Sequence, residues 1–135
     1  MSQDVLPSAP LNPPPSSSGQ EPLVVGLDLG GTKMAAALVD AGGTLQGPVS
    51  SCPTPAHDGP AAMLDAISGL IAKVVETGTH QEPGQAAAIT AVGIGTAGVV
   101  DVERGAILSA TDAITGWAGT QVAAGVRERL AAQGL

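Results

Sequence analysis

The chain has 135 residues, enough for one modest domain, and its 12 acidic and 5 basic residues give a formal net charge of −7. That balance, with no basic patch, excludes the electrostatic footprint of a nucleic-acid binder, and no stretch of about 20 consecutive apolar residues predicts a membrane span. Phe and Tyr are absent and Trp117 is the single aromatic residue, so the core must be aliphatic.

Residues 1–22, MSQDVLPSAPLNPPPSSSGQEP, are rich in Pro and Ser and show no apolar period, so a disordered leader is expected there. The leader has neither a basic start nor an apolar signal core, which predicts a soluble, cytoplasmic protein. LVVGLDL (23–29) reads as a buried strand, and after the turn GGT a second strand is expected over MAAALVD (34–40). Ala41-Gly42-Gly43 is a hairpin turn, and TLQGPVS (44–50) is the expected third strand, with Pro48 tolerable only near an edge.

SCPTPAHDGP is a loop, and Asp58-Gly59-Pro60 marks a helix start, Asp as the cap and Pro in the first turn. Met63, Ile67, Leu70, Ile71, Val74 and Val75 then mark one face of a helix ended by Gly78. A polar connection containing His80 leads to a fourth strand over Ala88–Ile94, which a right-handed crossover places parallel to the first. A hairpin-like region follows. Val122, Val126 and Leu130, spaced four apart after a Thr120 cap, predict a final helix to Gln133. The order is βββαβ(β)α, an α/β fold.

Two glycine loops compete for attention. GIGTAG (93–98) matches G-x-G-x-x-G after a strand, the fingerprint of a dinucleotide-binding turn. In that fold the glycines open into a helix, whereas here Val99, Val100, Val102 and an Arg-Gly turn favour an extended hairpin. The reading that remains is a tight turn that lets backbones pack closely.

GLDLGGTK (26–33) is strand, Gly-Gly turn, strand. Such a turn aims backbone amides at phosphate oxygens, because Gly30 and Gly31 carry no Cβ to block approach. The Thr32 hydroxyl can donate to a phosphate and the Lys33 ammonium can offset its charge. Asp28, an acid in an apolar run, is costly there unless bound to something, and its place at the strand end suits Mg²⁺ held through water. The plainer alternative is a hairpin turn with an incidental acid beside it.

VVGLDLGGTKMAAALVD (24–40) resembles the first phosphate motif of the ROK family of sugar kinases, members of the actin/hexokinase-like (ribonuclease H-like) superfamily of ATP-binding folds. A second block, VGIGTAGVVDVERGAILSATDAITGW (92–117), is similar to the loop and hairpin on the family's sugar side. The resemblance covers most of residues 23–135 and implies the N-terminal part of an ATP- and sugar-binding domain, without the C-terminal lobe. It implies ATP and Mg²⁺ at Asp28, Gly30, Gly31, Thr32 and Lys33. Where glucose-type members carry Pro-Asn before Gly-Trp, this chain has Ser109-Ala110-Thr111, similar to the N-acylmannosamine kinase branch. By that match Gly98 and Thr111 are the sugar contacts, and glucose specificity is in doubt.

Phosphoryl transfer also needs a carboxylate in reach of the sugar hydroxyl. The acids near the sugar loops are Asp101 and Asp112, but the family's base is the Asp of an Asn-Asp pair on the strand after the last helix, expected beyond Leu135. The family's Cys/His zinc cluster is expected there too. The complete protein is therefore expected to be a sugar kinase, a homodimer being one possibility, and residues 1–135 alone inactive. The alternatives are a sugar-responsive ROK-type transcription regulator that has lost its helix-turn-helix, disfavoured by a leader without Lys or Arg, and a non-catalytic sugar-binding protein. His57 and His80 read as solvated loop histidines, Cys52 as a passive thiol, Trp117 as a packing anchor, and Arg127-Glu128-Arg129 as a solvated helix face.

Overall fold

The computed structural model describes residues 22–81 and 89–135. The leader expected over 1–22 lies outside them except for Pro22, as do the connection 82–88 and the side chain of His80. Eight elements follow in order: β1 (Leu23–Leu29), β2 (Lys33–Asp40), β3 (Ser50–Pro53), α1 (Pro60–Gln81), β4 (Ile89–Thr96), β5 (Val99–Asp101), β6 (Ala106–Ser109) and α2 (Val122–Ala132). The expected α/β order βββαβ, hairpin, α is the observed one.

The main sheet has the order β3-β2-β1-β4, and β5 and β6 form a separate antiparallel pair. β1 pairs antiparallel with β2 and parallel with β4, as the crossover through α1 requires. Alternation along β1 buries Leu23, Val25, Leu27 and Leu29 on one face. There they meet Met63, Ile67, Leu70, Ile71, Val74 and Val75 of α1, the stripe that the helical spacing marks. Each such aliphatic side chain contributes roughly 1.5–3 kcal/mol when fully buried. α2 packs Val122 and Val126 into the same core.

Four expectations need correction. The third strand lies at 50–53, not 44–50. The Asp40 carboxylate accepts the Gly42 and Thr44 amides, both at 2.9 Å, and Gln46 Nε2 at 2.8 Å. This holds the chain in a turn, and Gly47 then takes a positive φ of 104°. Only a single bridge, Leu45 to Val39, forms before pairing resumes at Ser50. Helix α1 runs past Gly78 to Gln81, because an interior glycine costs a helix only about 1 kcal/mol relative to Ala.

Thr120 does not cap α2. Gln121 holds the cap position with no side-chain bond, and Thr120 Oγ1 instead donates to the Gly116 carbonyl at 3.2 Å. Nor is Arg129 simply solvated. Its Nε donates to Asp65 Oδ1 of α1 at 2.6 Å and its Nη1 to the Gly125 carbonyl at 3.1 Å, tying the two helices together.

Candidate phosphate and sugar site

The parallel pair β1/β4 places Leu29 beside Thr96 at the last residue of each strand. The two glycine loops, Gly30–Thr32 and Ala97–Gly98, therefore leave the sheet side by side. In α/β sheets the carboxyl ends of parallel strands are where ligands settle, since both chains there turn away and leave backbone groups unpaired.

Asp28 sits on the face of the sheet opposite α1. Its cross-strand partners are Ala35 and Gly95, and the next pair on that face is Gly26 with Gly93. With so little side chain around it the Asp28 carboxylate is exposed rather than buried. The expectation of an acid strained by burial is thus corrected: alternation carries it to the open face, where it has no hydrogen bond or ion pair to the described residues. Lys33 is exposed on the same face, one alternation before Ala35.

The turn between them is closed by the Gly30 N–H donating to the Lys33 carbonyl at 3.0 Å. A Cβ on Gly30 would lie 2.7 Å from that carbonyl oxygen, so the close backbone approach demands glycine there. A Cβ on Gly31 would meet nothing, so the space beside Gly31 is open to solvent. Thr32 is exposed as well. Behind the turn, Thr54 follows β3, its Oγ1 donating to the Gly30 carbonyl at 2.8 Å and its N–H to the Thr32 carbonyl at 2.9 Å. Sequence inspection misses Thr54, because nothing local marks a residue 24 positions away as a partner of the turn.

On the second loop, Gly98 has a φ of 102° and a Cβ there would fall 2.5 Å from the Ser109 carbonyl oxygen. Gly98 thus rests against Ser109 and Ala110, directly before Thr111. The structure so brings the two expected sugar contacts into one neighbourhood. Thr111 is exposed, its Oγ1 accepting the Ala113 N–H at 3.4 Å. Trp117, 1 % exposed, donates its indole Nε1–H to Thr96 Oγ1 at 3.2 Å and pins this loop to the end of β4. It is the packing anchor expected of it.

Of the two acids near the loops, Asp101 is committed to its own turn. Its Oδ1 accepts the Glu103 and Arg104 amides at 3.1 and 3.2 Å, and its Oδ2 faces Arg104 Nε at 3.6 Å. Asp112 is exposed. His57 is exposed but not without a partner, since its Nδ1 lies 3.3 Å from Thr115 Oγ1. Cys52 is half-buried against the core. Among the described residues no helix is long and apolar enough to cross a membrane.

Solved structures similar to this chain include three sugar kinases. A ROK hexokinase from Thermus thermophilus is 30% identical with a TM-score of 0.63, over 81% of this chain and 32% of that one. An inorganic polyphosphate/ATP-glucomannokinase from Arthrobacter sp. strain KM is 27% identical with a TM-score of 0.62, over 82% and 41%. A ROK family glucokinase from Streptomyces griseus, solved with glucose and AMPPNP, is 30% identical with a TM-score of 0.59, over 81% and 30%. The chain thus spans 30 to 41% of the length of these relatives. No curated protein matches it. A family model for the ROK family matches residues 24–133, a range that contains both glycine loops. The chain belongs to the ROK family.

Proposed function

We propose that the complete protein transfers the terminal phosphoryl group of ATP to a hydroxyl of a hexose or amino sugar, and that residues 23–135 supply its phosphate turn and part of its sugar wall. The observation that carries this is the register Leu29 beside Thr96, which sets a Gly-Gly phosphate turn next to the loop of Gly98 and Thr111. The similarity to a hexokinase, a glucomannokinase and a glucokinase solved with glucose and AMPPNP supports the same reading.

In this reading the Gly31 amide and the Thr32 hydroxyl donate to phosphate oxygens, and Lys33 offsets their charge. The open space beside Gly31 fits an approaching oxygen. The exposed, unpartnered Asp28 carboxylate fits a hydrated magnesium ion, which would neutralise charge on the nucleotide. Gly98 and Thr111 contact the sugar. The proton on the attacking hydroxyl goes to a carboxylate that we place beyond Leu135, where the family's Asn-Asp pair is expected; Asp101 is held by the Glu103 and Arg104 amides. The Ser109-Ala110-Thr111 wall favours an N-acylmannosamine over glucose.

The test is ADP release by the full-length protein with ATP and Mg²⁺ against glucose, mannose and N-acetylmannosamine. Sugar-dependent release carries the proposal. Its absence with every sugar, in a protein that still binds one, leaves a sugar-binding role instead.

A further inference from the structure

We infer that Thr54 is a positioning residue for the phosphate turn, holding the Gly30 peptide in the orientation that leaves the Gly31 N–H free to donate to a phosphate oxygen. The argument starts from the peptide group itself. A trans peptide is planar, with its carbonyl and its N–H on opposite sides. The carbonyl of Gly30 and the N–H of Gly31 belong to one such unit. Thr54 Oγ1 donates to that carbonyl at 2.8 Å, so the Gly31 N–H is directed away from Thr54. That N–H has no partner among the described residues, and no side chain crowds the position. The Thr54 N–H holds the Thr32 carbonyl in the same way at 2.9 Å, so one residue grips the turn on both flanks.

Without this grip the Gly30-Gly31 unit has little to resist rotation, since neither residue has a side chain. A rotated unit presents its carbonyl oxygen, not its N–H, to an incoming phosphate. Two negative ends would then face each other where a donor is wanted. Thr54 itself touches the turn and not the nucleotide, so its effect is on how well the nucleotide is received.

The inference rests on the kinase reading, and the experiment separates the two. In the full-length protein, Thr54→Val removes the hydroxyl and keeps the backbone N–H and the side-chain volume, while Thr54→Ser restores the hydroxyl. The expected result for Thr54→Val is a rise of about five- to tenfold in the KM for ATP. The sugar KM and kcat stay within about twofold, and Thr54→Ser behaves as the unaltered protein. An unchanged ATP KM overturns the inference. So does an equal shift in all three constants, or a failure of serine to restore them.

A second measurement does not depend on turnover. Titration of the ¹⁵N-labelled protein with ADP should move the Gly31 amide proton downfield in the unaltered protein and in Thr54→Ser, and by clearly less in Thr54→Val. A Gly31 amide that ignores ADP overturns the inference. A shift of equal size in Thr54→Val overturns it too, whereas the graded pattern in a protein with no sugar kinase activity upholds it and removes the kinase reading alone.

Discussion

Trp117 Nε1 donates to Thr96 Oγ1 at 3.2 Å, joining the last residue of β4 to the end of a segment that begins at Ser109. Thr96 Oγ1 in turn donates to the Ala97 carbonyl at 3.2 Å, so the relay runs into the glycine loop itself. Thr96→Val keeps the side-chain shape and leaves a buried indole N–H unpaired, which should cost about 1–3 kcal/mol. Urea denaturation checks this. A midpoint identical to that of the unaltered protein would show that the bond contributes nothing. Trp117→Ala should cost more, about 3–5 kcal/mol, because it also empties the largest fully buried side chain of the core.

The carboxylate of Asp28 is exposed and makes no hydrogen bond or ion pair to the described residues. Asp28→Asn should therefore leave stability within about 0.5 kcal/mol. In the complete protein it should lower kcat about a hundredfold or more, the scale seen when a preorganised electrostatic group is lost. Parallel denaturation and ADP-release assays separate the two effects. Near-normal turnover would remove Asp28 from the metal role.

Two glycines at the site should answer differently to alanine. At Gly98 the φ of 102° and the Ser109 carbonyl 2.5 Å from an added Cβ both oppose a side chain. Gly98→Ala should cost at least about 1–3 kcal/mol through backbone strain alone. At Gly31 an added Cβ meets no atom within 4 Å, so Gly31→Ala should fold normally and weaken only nucleotide binding. Thermal melting with an ADP titration for each variant checks this. Equal destabilisation of both would refute the distinction.

The backbone amide of Thr44, with Gln46 and the other amides of its turn, holds the Asp40 carboxyl below the ordinary carboxylate value of 3.8. A folded-state value lower than the unfolded one adds stability that is complete above the unfolded value. It is lost as pH falls through the folded one. The unaltered protein should therefore shed stability below about pH 4 more steeply than Asp40→Asn, which lacks the titrating group. Urea midpoints measured from neutral pH down to pH 3 read the difference. Parallel curves for the two proteins would assign the acid sensitivity elsewhere.

Much of the sheet was legible because its determinants are local. Alternation marked β1 and β2, the i, i+4 stripe from Met63 to Val75 marked α1, and valine-rich sequence with an Arg-Gly turn marked the hairpin of β5 and β6. What escaped depends on contacts made at a distance. TLQGPVS has the composition of a strand, yet the Asp40 carboxylate draws the chain into a turn first. Thr120 has the chemistry of a cap but spends its hydroxyl on Gly116. Arg129 looks solvated until α1 brings Asp65 to it. The Gly-Gly turn was plain in the sequence, while Thr54 behind it was not, since a hydrogen bond across 24 residues leaves no local pattern.

Among the described residues β4 is paired on one side only, with β1, and its other side is an unpaired strand edge. Next to it lies a groove lined by Val92, Ile94, Val122, Val126 and Leu130, with the exposed Val100 and Val102 also on its wall. An unpaired edge beside apolar surface is a template for another strand, since its N–H and C=O groups gain partners and the groove loses contact with water. Lys and Pro, which natural edges use as guards, are absent from β4. The 1–135 polypeptide on its own should accordingly self-associate as its concentration rises. Sedimentation velocity across a dilution series reads this directly, and a charged substitution on the groove wall, Val92→Lys, should reduce it. A single monomer boundary at every concentration, with cooperative unfolding, would mean that the β4 edge is already protected.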